Sequence, residues 1–156
     1  MGILTEHFQK HLELLNRHGV KYLIIGGYAV AAHGHPRATK DLDIFYEKDQ
    51  INALSLVEAL KEMDVPGADV TLFMEKDAQI MFGEAPDTID FLGDLPGVSF
   101  EECWARRVEL KIDGLSVPFI SREDLIFNKK ASGRLQDLAD VEAIIKTDAL
   151  PFEKDQ

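Results

Sequence analysis

The stretch IGGYAVAAHGHPRATKDLDI, residues Ile25–Ile44, decides how the rest of the chain is read. Tyr22 to Ile25 is a short apolar run that suits a buried strand, and it ends at Gly26-Gly27. Glycine at such a junction lets backbone approach a bulky ligand, and the free amides of a helix starting there favour an anion. A tight turn is the plainer reading of the same pair. Tyr28 to His33 is Ala-rich and helix-compatible, and Gly34 and Pro36 break it. Leu42 to Glu47 reads as a second strand, so Asp41 and Asp43 share one face while Leu42, Ile44 and Tyr46 point into the core. Two residues of strand rise separate the carboxylates by about 6–7 Å, close enough to repel where water is limited. A cation between them answers that repulsion, and hard oxygen ligands suit Mg²⁺ or Mn²⁺. A solvated strand end would need no ion. Arg37 and Lys40, just ahead of the aspartates, suit a polyphosphate, or are plain surface charges.

Working outward, Leu4, Phe8, Leu12 and Leu15 recur at helical spacing before His18-Gly19, which predicts a helix over 4–18. A second amphipathic helix is expected over 49–63 through Ile51, Leu54, Val57 and Leu60. Strands are expected at 69–74, 78–82 and 87–92, the last carrying Asp90 inside the apolar run Ile89-Asp90-Phe91-Leu92. An acid in that setting is either at an exposed edge or a third member of a metal site. Ser99 with Glu102 has the form of a capping box for a helix over 99–106. Asp113-Gly114 joins Val108–Ile112 to Leu115–Ile120 as a hairpin. Ser121 and Asp124 open a helix over 121–132, and Gly133 separates it from one over 134–147 with Leu135, Leu138, Val141 and Ile145 on one side. This order is α+β with a mixed sheet flanked by helices, and not strict βαβ alternation.

With 156 residues, 46% of them hydrophobic, one domain over residues 1–150 is expected, followed by a disordered polar tail at 151–156. A net charge of −11 disfavours non-specific binding to nucleic acid or anionic membrane, while leaving room for a small basic pocket. No apolar run approaches the ~18 residues of a membrane span. The N-terminal residues lack the pattern of a signal peptide, and Cys103 is the only cysteine, so a cytoplasmic location is expected. Cys103 reads as a buried hydrophobe, Phe100 and Trp104 as core, and His33 and His35 as pocket-lining or solvent-facing. The segment Asn128 to Arg134 is the densest basic patch. Lys130 and Arg134 are either phosphate contacts, sharing a face if the helix runs through Gly133, or charges that complement a helix C-terminus.

Together these motifs resemble the nucleotidyltransferase superfamily that includes DNA polymerase beta-like enzymes and aminoglycoside and lincosamide nucleotidyltransferases. Its pattern is a Gly-Gly or Gly-Ser pair, an Asp-x-Asp about a dozen residues later, and a third carboxylate on a later strand. Thirteen residues, 28–40, separate Gly27 from Asp41. Ile25–Ile44, Ile89–Leu92, Phe100–Trp104 and Asn128–Asp137 look like the small stand-alone bacterial members related to abortive-infection toxins. Gly27 stands where many active members carry serine, and Thr88 where an Arg often precedes the Ile-Asp pair. The resemblance implies a nucleotidyltransferase fold with C-terminal helices and the transfer of NMP from an NTP to a hydroxyl, releasing pyrophosphate. It implies Asp41, Asp43 and Asp90 as catalytic residues holding two Mg²⁺ (or Mn²⁺) ions. Nucleotide contacts would come from Gly26, Gly27, Arg37, Thr39, Lys40, Lys130 and Arg134. The acceptor is a small molecule, a protein or a tRNA end, bound in one arrangement at a homodimer interface. The alternative is a catalytically silent NTP-binding or partner-binding component of a toxin–antitoxin-like pair.

Overall fold

The computed structural model describes residues 4–35 and 41–147. Thr5 caps the first helix, α1 (Glu6–Arg17), by accepting a hydrogen bond from the Phe8 amide, and the buried stripe Phe8, Leu12 and Leu15 fixes which side faces inward. The chain then alternates through β1 (Tyr22–Ile25), α2 (Gly26–Ala32), β2 (Leu42–Tyr46) and α3 (Gln50–Glu62). After α4 (Val70–Met74) come β3 (Gln79–Phe82), β4 (Ile89–Leu92) and α5 (Phe100–Ala105). A hairpin of β5 (Val108–Ile112) and β6 (Leu115–Phe119) leads to α6 (Arg122–Ser132) and α7 (Leu135–Ile145). No helix among the described residues is long and apolar enough to cross a membrane.

All six strands form one sheet in the order β3-β4-β2-β1-β6-β5. β1 runs antiparallel to β2 and parallel to β6, while β2 runs parallel to β4, so the sheet is mixed and the fold α+β, as expected. The central strand β1 is buried along its whole length, which is why its sequence is a continuous apolar run without alternation. Asp113 and Gly114 both take positive φ, as the two-residue hairpin between β5 and β6 requires. Ser99 and Ser121 cap α5 and α6 as their sequences predict.

Three expectations change. The predicted strand at 69–74 is the helix α4: the Asp69 carboxylate accepts from the Thr71 amide at 2.9 Å, and this cap, with Phe73 buried, outweighs the β propensity of Val70 and Thr71. In α3 the buried face is Ala53, Leu56, Val57, Ala59 and Leu60, leaving Ile51 and Leu54 exposed. In α7 the buried residues are Asp137, Asp140, Val141 and Ile144; Leu135 is 88% exposed, and Leu138 and Ile145 are also exposed. The inward face of α7 is thus half polar, and the reason for Asp137 and Asp140 lies in the cleft it borders. The expected tail at 151–156 lies outside the described residues.

Candidate active site

The parallel register of β2 and β4 sets Asp43 directly beside Asp90. Neighbouring strands lie about 4.8 Å apart and register partners project to the same face, so two carboxylates brought from distant sequence become adjacent. Both line a cleft of about 450 Å³, together with Asp41 just ahead of β2. Burial, and then the charges of Asp90 and Asp41, push the Asp43 carboxyl up to about 7, with Lys129 and Arg134 pulling it the other way. Burial also raises Asp90, against a hydrogen bond from the Gln79 amide, 2.8 Å from Asp90 Oδ2. The other oxygen, Asp90 Oδ1, is buried with no hydrogen-bond partner.

Gly26 closes the cleft behind Asp43. Its φ is +66°, and a Cβ there would collide with the Asp43 carboxylate. Glycine is therefore required twice, by conformation and by space. Gly26→Ala is expected to cost about 1–2 kcal/mol, or some 4 °C in melting temperature for a chain of this size, and to displace the Asp43 carboxylate. Thermal unfolding checks it; an unchanged melting temperature would contradict the contact. Gly27 is buried in α2 and does not line the cleft.

The opposite wall comes from the last two helices. Lys129 is buried, with Nζ 3.1 Å from Asp137 Oδ1 and 3.0 Å from Asp140 Oδ2. Asp137 also accepts from Arg134 Nε at 2.8 Å, while the rest of the Arg134 side chain is 78% exposed. Burial raises Asp137, but its bonds with Arg134 and Lys129 win and hold it below the usual carboxylate range. Lys129 and Arg134 both line the cleft and act on Asp43 across it.

Lys130, one of the two cations expected to meet phosphate, is exposed and does not line the cleft. Gly133, at φ +72°, ends α6 in a left-handed C-cap, so Lys130 and Arg134 share no helical face. The basic residue that faces inward is Lys129, on the same side of α6 as buried Leu125 four residues earlier. The spacing alone does not separate the two lysines, since Ile126 precedes Lys130 by four as well; the full burial of Leu125 does. Arg37, Thr39 and Lys40 lie outside the described residues. His33 is not among the residues lining the carboxylate cleft: it is buried, with Nε2 2.8 Å from the Ile120 carbonyl oxygen. Cys103 and Phe100 are buried, as expected, whereas Trp104 is only half-buried, stacked on Phe100 with Arg107 over its ring.

Among the described residues no three His, Cys, Asp or Glu side chains gather closely enough to hold a metal ion. The Asp43–Asp90 pair nevertheless fits a divalent cation: two adjacent, largely buried carboxylates repel each other, and one of their oxygens lacks a partner. The raised Asp43 carboxyl sets a stability signature. In divalent-free buffer the folded chain keeps a proton there between pH 4 and 7 that the unfolded chain has released, so stability falls as pH rises through that window and the penalty is complete above about 7. Urea midpoints from pH 4 to 8 are expected to fall more steeply for the wild type than for Asp43→Asn. Parallel profiles would contradict the shift.

Among solved structures, the lincosamide antibiotic adenylyltransferase LnuA, lincomycin-bound, is similar at TM-score 0.58 and 14% identity, over 93% of this chain and 98% of that one. The antibiotic-resistance factor ANT(2'')-Ia is similar at TM-score 0.61 and 14% identity, over 90% and 81%. The candidate nucleotidyltransferase TM1012 of Thermotoga maritima is similar at 0.60 and 16%, over 89% and 88%. At these identities the likeness shows a shared fold. No curated protein matches the sequence. A family model, nucleotidyltransferase of unknown function (DUF6036), matches residues 3–154. The chain belongs to that nucleotidyltransferase family.

Proposed function

We propose that the chain moves NMP from an NTP to a hydroxyl acceptor and releases pyrophosphate. The reading is carried by one observation: Asp43 and Asp90, in register on adjacent strands, face Lys129 and Arg134 across a single cleft. Acids on one wall and cations on the other suit a polyphosphate bound with divalent cations. The acceptor oxygen bonds to the α-phosphorus, the bond from that phosphorus to the pyrophosphate oxygen breaks, and the hydroxyl proton passes to a base. Asp90 is that base: it faces the cleft beside Asp43, and burial raises its affinity for a proton. Lys129 and Arg134 neutralise the leaving pyrophosphate, and Asp137 holds both cations in place. Gly26, with no Cβ, leaves room for the Asp43 carboxylate. Asp43 and Asp90, with Asp41, would hold Mg²⁺ or Mn²⁺, which would supply charge stabilisation to the attacking and leaving oxygens.

Arg37, Thr39 and Lys40 are assigned to phosphate by their sequence position beside Asp41 alone. The reaction is assigned to the cytoplasm, where NTPs are abundant. The test is incubation with each α-labelled NTP, Mg²⁺ and a cell extract. Wild type is expected to label an acceptor, and Asp43→Asn to label none. NMP released with no labelled acceptor would instead mean hydrolysis, and NTP binding without turnover would mean a silent binding protein.

A further inference from the structure

The two carboxylate oxygens of Asp90 have different surroundings. The Gln79 side-chain amide donates to Oδ2 at 2.8 Å, while Oδ1 is buried and has no hydrogen-bond partner among the described residues. The residue is only 7% exposed, so bulk water does not make up the missing bond. The contact follows from the register at the sheet edge. β3 runs antiparallel to β4 with Met81 opposite Asp90 and Gln79 opposite Leu92. Side chains two residues apart share a face, so Gln79 and Asp90 are diagonal neighbours on the cleft side, within reach for a side chain as long as glutamine. Ile80 and Phe82 alternate to the other face, where Phe82 meets Phe73 and Phe91. Gln79 is itself exposed and lines the cleft with Asp41, Asp43 and Asp90, so its contribution is the amide and not packing.

That amide limits what Asp90 can offer a cation. A carboxylate that binds through both oxygens must turn its plane towards the ion, and at Asp90 that turn would give up the bond to Gln79. With Oδ2 held, Oδ1 is the oxygen left to present. Mg²⁺ demands near-octahedral geometry, keeps several waters and is satisfied by one oxygen from a carboxylate. Ca²⁺ is larger, accepts more oxygens and often takes both from one carboxylate. Gln79 is also neutral. It fixes Asp90 without cancelling the negative charge that a divalent ion needs, which a Lys or Arg in its place would do.

We propose that Gln79 is a positioning residue for the cation site: by holding Asp90 Oδ2 it makes Asp90 a one-oxygen ligand and biases the Asp43–Asp90 pair towards Mg²⁺ and against Ca²⁺. This rests on the cation-binding part of the proposed function and not on the transfer step. In amide NMR titrations of the full chain without nucleotide, Mg²⁺ is expected to shift Asp43 and Asp90 at lower concentration than Ca²⁺. Gln79→Met keeps the length of an exposed side chain and removes the amide, so the fold is expected to be kept. The ratio of Mg²⁺ to Ca²⁺ affinity is expected to fall at least about tenfold in that variant, chiefly because Ca²⁺ binds more tightly. Gln79→Glu, which replaces the donor by a further acceptor, is expected to move the ratio further the same way. A wild type with no preference for Mg²⁺, an unchanged ratio in Gln79→Met, or an equal loss of both ions there would overturn the role of Gln79 and leave the cation site standing. Neither ion moving Asp43 and Asp90 in the wild type would overturn both. A wild type that binds Mg²⁺ selectively through Gln79 but labels no acceptor in extract would refute nucleotidyl transfer and leave the inference intact.

Discussion

Replacing Asp43 by Asn is expected to cut nucleotidyl transfer about a thousandfold, equivalent to ~4 kcal/mol of transition-state stabilisation, while making the fold more stable at pH 7. The two effects have one origin. Asp43 is crowded by Asp90 and Asp41 and largely withdrawn from water, which is why its carboxyl rises to about 7. Asparagine keeps the size of the side chain and the close packing against Gly26, and removes the charge that burial penalises. A residue kept for stability would show the opposite pattern, with activity and stability falling together. The measurement pairs initial rates of label transfer with urea unfolding at pH 7, with and without Mg²⁺. Added Mg²⁺ is expected to stabilise the wild type and to have little effect on Asp43→Asn, because the paired carboxylates of the native state supply the binding energy. Activity within threefold of wild type, or a loss explained by unfolding, would remove Asp43 from the chemistry.

Much of this site could be read from residue order because it is built from short-range rules. The apolar run at Tyr22–Ile25, the glycines after it and the alternation at Leu42–Tyr46 each fix local geometry, so Asp43 could be placed on the strand face opposite Leu42, Ile44 and Tyr46 from its neighbours alone. Asp90 was identifiable as an acid amid strand hydrophobes; that it stands beside Asp43, and not at an outer edge, depends on the parallel pairing of β2 with β4, a long-range contact. The last two helices misled pattern reading for a definite reason. Leu135, Leu138 and Ile145 form a helical stripe, and such a stripe normally faces a core. Here α7 turns Asp137 and Asp140 inward instead, because Lys129 on α6 is buried and needs their charge. An ion-pair requirement overrode hydrophobic periodicity, and no window of α7 alone contains the partner that causes it. The same logic separates Lys129 from Lys130, which differ in nothing but helical phase.

That buried network carries the largest stability effect expected in the chain. Lys129→Ala would take the lysine from both carboxylates, which stay buried: Asp140 keeps Gln136, whose amide is 3.0 Å from its Oδ1, and Asp137 keeps Arg134 and Ser132. Breaking a buried ion pair from one side costs about 3–5 kcal/mol, because the surviving charge loses its partner without regaining water. At 2–4 °C per kcal/mol the melting temperature is expected to drop by about 10 °C. Lys130→Ala, one residue away and exposed, is expected to change stability by no more than ~0.5 kcal/mol. The deficit in Lys129→Ala has a sign with pH. Without Lys129, Asp137 and Asp140 hold a proton more tightly than they do in the wild type, so the variant should recover stability relative to wild type as pH falls towards 4. Adding Asp140→Asn to Lys129→Ala removes one stranded charge and is expected to restore part of the loss, a coupling that a double-mutant cycle measures directly. Equal melting temperatures for Lys129→Ala and Lys130→Ala, or no rescue at acid pH, would mean that the two aspartates face inward for some reason other than Lys129.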